Sequence, residues 1–403
     1  MSTKRQSGIL MAVILTAAAS FIYAMNAGIR NNYGIMLQSI TENSGMTFAS
    51  VSFVLAVGQL FFGLVQPFFG ALAAKKGNLP VLVFGAVLIM TGVLLMPKCK
   101  SMLALMLCLG ILLPAGTGVV SYGLLVSVLT PKIPESTVSM VSGIINASSG
   151  IGNTLLSPVI QSLIAAGGLS HCMIVLACAT GMTIPASVFI CRWGGKRVNA
   201  KTAEKTEKLR VREVLRSAMD TKTYRFLMMG FFTCGFHMAL ITNHLPTEFT
   251  SYGFGADISS CAFSVYGITT LVGSVLSGIF CSRWEMKNVL GCFYGSRPLM
   301  ILLFFALPKT VPSIVLYAAL LGCSGAATVP PVSGLIGKNF GAAHVATLYG
   351  LVFFVHQIGG FLGAWLGGVC YQVTDSYTLI WTADILLSTF AAAVSFSIPF
   401  KKD

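Results

Sequence analysis

The chain has 403 residues, of which 9% are charged and 55% hydrophobic, with a formal net charge of +14. A soluble protein carries about 25% charged residues, so this composition excludes a soluble enzyme or binding domain and defines a polytopic membrane protein. The alternating strands of about 10 residues that mark an outer-membrane barrel are missing, which leaves an all-α membrane protein.

Twelve apolar segments follow one another at roughly 8–37, 47–74, 79–97, 101–127, 136–165, 169–192, 223–251, 257–282, 288–307, 312–336, 341–371 and 375–400. Each is long enough for a crossing of about 20 residues. The first, with Ala17-Ala18-Ala19, has some signal-peptide character. It is too long for one and eleven further segments follow, so it reads as an uncleaved first helix. Of the 26 Lys and Arg, only Lys98, Lys100 and Lys309 fall in the odd-to-even loops, and only Arg30 and Arg297 lie deep inside segments, Arg192 and Arg225 being at segment ends next to the alternate loops. The others, among them Lys4, Arg5, Lys75, Lys76, Lys132, Arg283, Lys287, Lys338, Lys401 and Lys402, sit at the chain ends or in the alternate loops. The positive-inside rule then places both termini in the cytoplasm. The same bias explains the net charge as a surface facing anionic lipid, and nucleic acid is not expected as a partner.

Six segments lie on each side of a polar stretch at 193–222 that carries Lys196, Arg197, Lys201, Lys205, Lys208, Arg210, Arg212, Arg216 and Lys222. Leu209, Val211, Val214, Leu215 and Met219 give it a weak helical apolar face. A short helix on the membrane surface is expected there, with a solvated tether as the alternative. The division is a bundle at 1–192, a cytoplasmic linker at 193–222 and a second bundle at 223–403. The bundles are internally related: Gly70 and Gly278 are 208 residues apart, and so are Lys75 and Arg283. The strings Gly70-Ala-Leu-Ala-Ala-Lys75-Lys76-Gly77 and Gly278-Ile-Phe-Cys-Ser282-Arg283 resemble the inner-loop motif of the major facilitator superfamily. That resemblance implies twelve transmembrane helices in two six-helix pseudo-repeats. Ala74 and Ser282 stand where the family motif has an acid.

The 11 cysteines, Cys108, Cys178, Cys234, Cys281 and Cys323 among them, lie in or beside apolar segments without a CxxC pattern. They read as small buried hydrophobes, with no metal site and no disulfide framework. No GxxxxGK[ST] loop is present, so ATP is not the driver and no cofactor is expected.

A charge in hydrocarbon is costly and turns toward a cavity or a partner. The candidates are Arg30, His237, His244, Arg297, His356 and Asp384; Glu248 and Asp375 fall at outer ends of segments, where water is near. Arg297 and Asp384 lie about ten and about nine residues below the same surface, which suggests a structural ion pair. Arg30 has no acid within the first six segments. Its planar fork suits a carboxylate, and the plainer alternative is an arginine snorkelling to the interface. His237 and His244 share one helix face, with His356 at similar depth. They are candidates for hydrogen-bonding a carboxylate, or, for His237 and His356 with Asp384, for carrying a proton; packing is the alternative. Asn26, Tyr122 and Tyr266 complete the substrate-site candidates.

At Gly28-Ile-Arg30-Asn-Asn-Tyr-Gly34, Cys234-Gly-Phe-His237-Met-Ala-Leu-Ile-Thr-Asn-His244-Leu-Pro246, Tyr294-Gly-Ser-Arg297 and His356-Gln-Ile-Gly-Gly-Phe-Leu-Gly-Ala-Trp-Leu-Gly-Gly368, the chain looks like bacterial monocarboxylate-transporter-like members of that superfamily, a group that includes oxalate:formate antiporters. The resemblance implies a secondary transporter of the bacterial inner membrane. Such a protein moves a small organic anion by alternating access, with or without a proton, and works as a monomer. It is not an enzyme. Relatives in this group carry an arginine on helix 8 where Ser274 stands here, so the basic site has to be rebuilt around Arg30. The competing expectations are an exporter of lipophilic drugs, which would not need Arg30, and a non-transporting sensor, which would usually add an output domain.

Overall fold

A computed structural model describes residues 2–133, 137–193, 211–341 and 344–399. Most of the linker cations, from Lys196 to Arg210, and Lys401 and Lys402 lie outside the described residues, as do the side chains of Lys4 and Arg5. All regular structure described is helical. In chain order the helices are α1 (Ser2–Asn31), α2 (Tyr33–Ser44), α3 (Phe48–Lys76), α4 (Asn78–Leu95), α5 (Met102–Leu105), α6 (Leu113–Val119), α7 (Tyr122–Leu129), α8 (Val138–Gly181) and α9 (Thr183–Arg192). They continue as α10 (Val211–Met219), α11 (Lys222–Ser251), α12 (Ala256–Arg283), α13 (Met286–Ala306), α14 (Val311–Gly325), α15 (Val329–Phe340), α16 (Val345–Thr374) and α17 (Thr378–Phe396). The short α10 falls within the expected linker helix.

Eleven helical stretches among the described residues are long and apolar enough to cross a membrane, against the twelve segments of the sequence. The difference lies in Met140–Arg192, a single stretch of 53 residues. Gly168 interrupts it with φ 73° and ψ −175°, a left-handed conformation that glycine adopts at little cost. The helix therefore reverses between the two expected segments with no separate loop.

Lys75, Lys76, Arg192, Arg283 and Lys338 occupy last turns of α3, α9, α12 and α15, where a cation meets the negative end of the helix dipole. These turns define a basic end of the molecule. The three lysines of the opposite loops include two with a local task. Lys100 Nζ donates to the carbonyl of Asn43 in the last turn of α2. Lys309 Nζ donates to the carbonyl of Phe304 at the end of α13.

The core falls into one large cluster drawn from residues 15–190, two drawn from 218–398, and a small one where α3, α11 and α16 meet. Contacts between the N-terminal and C-terminal helices run along three seams. In the first, α3 meets α16: Ala49 N donates to Gln372 Oε1 at 2.8 Å, and the rings of Phe53 and Trp365 lie 5.5 Å apart. In the second, α8 meets α12: Asn153 Nδ2 donates to the Phe263 carbonyl at 3.4 Å and Thr154 Oγ1 to that of Ser264 at 3.2 Å. In the third, α2 meets α11 so closely that a Cβ on Gly34 would lie 2.8 Å from the Thr242 carbonyl.

These seams end midway. A Cβ on Gly63 would lie 2.6 Å from Gln357 Cγ, and one on Gly150 would lie 2.8 Å from the Gly267 carbonyl. Seven or eleven residues toward the basic end, on the same helix faces, Cβ atoms on Gly70, Gly350, Gly143 and Gly278 would meet nothing within 4 Å. The two sets of helices are joined at the far end and parted at the basic end.

Candidate functional site

Arg30 sits in the last turn of α1, where the seams give way to the gap. Its guanidinium carbon lies 4.2 Å from the centre of the Phe62 ring, within cation–π range. It makes no hydrogen bond or ion pair among the described residues. Tyr23, Tyr33 and Tyr266 lie within its electrostatic reach. Tyr122 packs on Tyr23 with ring centres 6.0 Å apart, and Tyr266 stacks on Phe263 at 5.2 Å.

His356 reaches the same level from α16. Its ring stacks on Phe353 at 5.6 Å and packs against Phe231 at 4.8 Å, and its Nδ1 has no hydrogen-bond partner. Phe62 and Phe353 touch, with centres 6.2 Å apart. Arg30 and His356 therefore flank one aromatic contact between the two sets of helices, each lying on one of its rings. A guanidinium without a counter-ion and an imidazole with a free nitrogen, beside aromatic rings, form an arrangement able to receive a small anion.

The other candidates lie elsewhere. Asn26 is buried and spends its amide on the backbone, donating to the carbonyls of Thr117 at 2.9 Å and Val120 at 2.7 Å. Those carbonyls are freed where α6 gives way to α7. His244 is buried too: Nε2 donates to the Ala364 carbonyl at 2.7 Å, and the ring packs between Phe48 and Tyr377. His237 is fully buried, and its Nδ1 donates to Asp384 Oδ2 at 2.6 Å.

That bond corrects the expected Arg297–Asp384 ion pair. Among the described residues the only ion pair is His237–Asp384. Arg297, equally buried, points instead at the break between α14 and α15. Its Nη2 donates to the carbonyls of Ser324 at 3.2 Å and Gly325 at 3.3 Å and lies 3.4 Å from Cys234 Sγ. The physical reason is the broken helix: carbonyls at a helix C-terminus lack partners and carry partial negative charge, so they compete with Asp384 for the cation.

The two breaks obey the internal repeat. Adding the 208-residue offset to Asn26, Thr117 and Val120 gives Cys234, Gly325 and Thr328. Cys234 Sγ lies 3.2 Å from Thr328 Oγ1 and 4.0 Å from the Gly325 carbonyl. One side chain thus addresses the same interruption in each set of helices.

The sequence reading missed Glu248. It is 2% exposed, not in water. Trp381 Nε1 donates to its Oε2 at 2.7 Å and the Tyr252 hydroxyl to its Oε1 at 3.0 Å. The available signal was spacing, because Glu248 continues the α11 face that bears His237 and His244. Asp375 is exposed, as expected, and caps α16 in the left-handed region with φ 51°.

A helical bundle in two sets joined at one end and parted at the other, with an unpaired guanidinium at Arg30 where they part, has the architecture of a solute carrier. Residues 17–399 match the Major Facilitator Superfamily, and the chain belongs to that family of multi-pass membrane transporters. It is 24% identical over 395 residues to YcxA, an uncharacterized MFS-type transporter of Bacillus subtilis (strain 168), covering 94% of this chain and 93% of that one. It is 22% identical to the oxalate:formate antiporter of Oxalobacter formigenes, over 94% of this chain and 88% of that one. With monocarboxylate transporter 13 of Rattus norvegicus it shares 23%, over 91% and 83% of the two chains. The fold is similar to crystal structures of the nucleoside transporter NupG, at a TM-score of 0.74, 14% identity and coverage of 96% and 98%, and of a D-xylose-proton symporter, at 0.73, 11%, 97% and 98%.

Proposed function

We propose that this protein is a secondary transporter of a small organic anion of the monocarboxylate type, working by alternating access in the bacterial inner membrane. The observation that carries this reading is Arg30: a half-buried guanidinium, lying on Phe62 where the two sets of helices part, with no acid or hydrogen-bond acceptor among the described residues. A half-buried cation held on an aromatic ring favours a counter-charge over water, and a carboxylate substrate supplies one in bidentate geometry. The relatives named for oxalate, formate and monocarboxylates support the same class.

In this reading Met140–Arg192 crosses twice, with its turn at Gly168, which gives twelve spans with both termini and the basic end in the cytoplasm. The bundles are 1–192 and 223–403, joined by 193–222, and the monomer is the working unit. The conformation described is then the inward-open one, with His356, Tyr122 and Tyr266 completing the Arg30 site. The test is exchange in proteoliposomes loaded with labelled formate, oxalate or lactate. Exchange of at least one of them, lost in Arg30→Ala, is the expected result. A wild-type protein that exchanges none would overturn the reading.

A further inference from the structure

The helix that carries Arg30 is broken where its counterpart is continuous. α1 ends at Asn31 and α2 begins at Tyr33, with Asn32 between them at φ −100° and ψ 16°. With the 208-residue offset these three positions fall on Ala239, Leu240 and Ile241, and α11 runs through them from Lys222 to Ser251 without interruption. A break leaves carbonyls of the last helical turn without partners, which hydrocarbon cannot supply. Its presence beside Arg30, and not in α11, calls for a role outside packing.

Side chains from α8 hold the break. Asparagine at the start of a helix ordinarily caps it, but the Asn32 side chain makes no capping bond to α2. Its Nδ2 turns back to the Gly28 carbonyl, in the last turn of α1, at 2.6 Å and reaches Asn153 Oδ1 at 3.3 Å. Its Oδ1 accepts from Ser157 Oγ at 2.6 Å. Both polar atoms of the Asn32 amide are thereby engaged, and Asn32, Asn153 and Ser157 are at most 1% exposed. At the equivalent positions the C-terminal helices carry Leu240, Phe361 and Trp365. Asn153 has a second bond: its Nδ2 donates to the Phe263 carbonyl of α12 at 3.4 Å, and the Phe263 ring stacks on Tyr266. One amide therefore joins the break behind Arg30 to the closed far end. Thr154, the next residue, spans the same seam to the Ser264 carbonyl, and its other bond is to Gly150 in its own helix.

We propose that Asn153 is a positioning residue for the anion. Acting through Asn32, it fixes the α1–α2 joint so that the Arg30 guanidinium is held over Phe62 with its donors free, while its other amide atom holds α12. The inference rests on reading Arg30 as the anion's partner. The effect of Asn153 reaches the anion through the backbone turn from which Arg30 projects. When α8 parts from α12 the Phe263 bond is lost, and with it the fixed setting of the joint. Tight capture of the anion therefore belongs to the conformation closed at the far end.

The test titrates the purified full-length protein in detergent with formate, oxalate and lactate and reads binding by calorimetry. Asn153→Ala should weaken binding of whichever anion the wild type takes by about 10-fold, within the range over which residues of a coupling network act. Thr154→Val, on the same seam, should leave it unchanged. In an Arg30→Lys background Asn153→Ala should weaken binding no further, because it acts through the planar fork. An equal loss in both backgrounds would overturn the proposal and make Asn153 a packing residue. Ser157→Ala, which loosens Asn32 and leaves the Phe263 bond in place, carries the same expectations if Asn153→Ala does not fold. A second readout needs no substrate. Phenylglyoxal modifies accessible arginines, and peptide mass spectrometry reports the rate at Arg30. Asn153→Ala should raise that rate severalfold and Thr154→Val should not. An unchanged rate in Asn153→Ala refutes the positioning role. A raised rate in a protein that binds none of the three anions would leave the positioning of Arg30 standing and sink the substrate reading alone.

Discussion

Asn26 and Cys234 stand at equivalent positions 208 residues apart, and each addresses the interruption of a neighbouring helix, at Val120 in one case and Thr328 in the other. The amide donates twice where the thiol touches a carbonyl and a hydroxyl, and the thiol's weaker bonding is supplemented by Arg297. The same mechanical problem is solved with different chemistry in the two sets of helices.

Asn26→Ala should therefore act on stability. It strips two donors from buried carbonyls, a loss of about 1–3 kcal/mol for each group left unsatisfied. A lowered melting temperature with an unchanged KM for the transported anion is the expected pair of results. A raised KM at constant melting temperature would return Asn26 to the substrate site.

The His237–Asp384 pair is fully buried. Removing one partner, as in His237→Leu or Asp384→Leu, should destabilise the protein by about 3–5 kcal/mol. Removing both, with His237→Ile as the single change at that position too, reproduces Ile29 and Leu176 of the N-terminal helices and should cost less than His237→Ile and Asp384→Leu summed. Denaturation of the four proteins forms a double-mutant cycle, and additive effects would argue against the pair.

Arg30→Lys keeps the charge and loses the planar fork. Charge-assisted hydrogen bonds are worth about 1.5–3 kcal/mol, so affinity for the anion should fall roughly 10- to 100-fold, with little change in melting temperature. Binding measured by thermal shift against formate, oxalate and lactate reads both at once.

Gly143 and Gly150 share a face of α8, yet only Gly150 is met by a neighbour. Gly150→Leu should destabilise the protein by driving α8 from α12. Gly143→Leu should leave the melting temperature intact and stop exchange, because closing the basic end requires helices to approach there. Normal exchange by Gly143→Leu would show that this face stays apart throughout the cycle.

That Arg297 and Asp384 come near one another was legible in the sequence; direction around a helix was not. Counting from segment ends placed Arg297 and Asp384 at one level. It could not show that Arg297 turns to the carbonyls of Ser324 and Gly325, because the break between α14 and α15 leaves no charge or breaker pattern that separates it from the Pro330-Pro331 beside it. Glu248 was assigned to water for a related reason. It lies three residues from the end of α11, and only the approach of Trp381 from α17 encloses it. Arg30 was legible because its isolation is a property of composition: no acid exists nearby in the chain to claim it.

Gly168 has a mechanical consequence. Because the chain reverses there with no slack residues, the arm that touches α12 at Gly150 and Thr154 is geared directly to the arm that begins at Leu169. A tilt that parted α8 from α12 would reach the second arm through a single residue, where a longer connection would add slack.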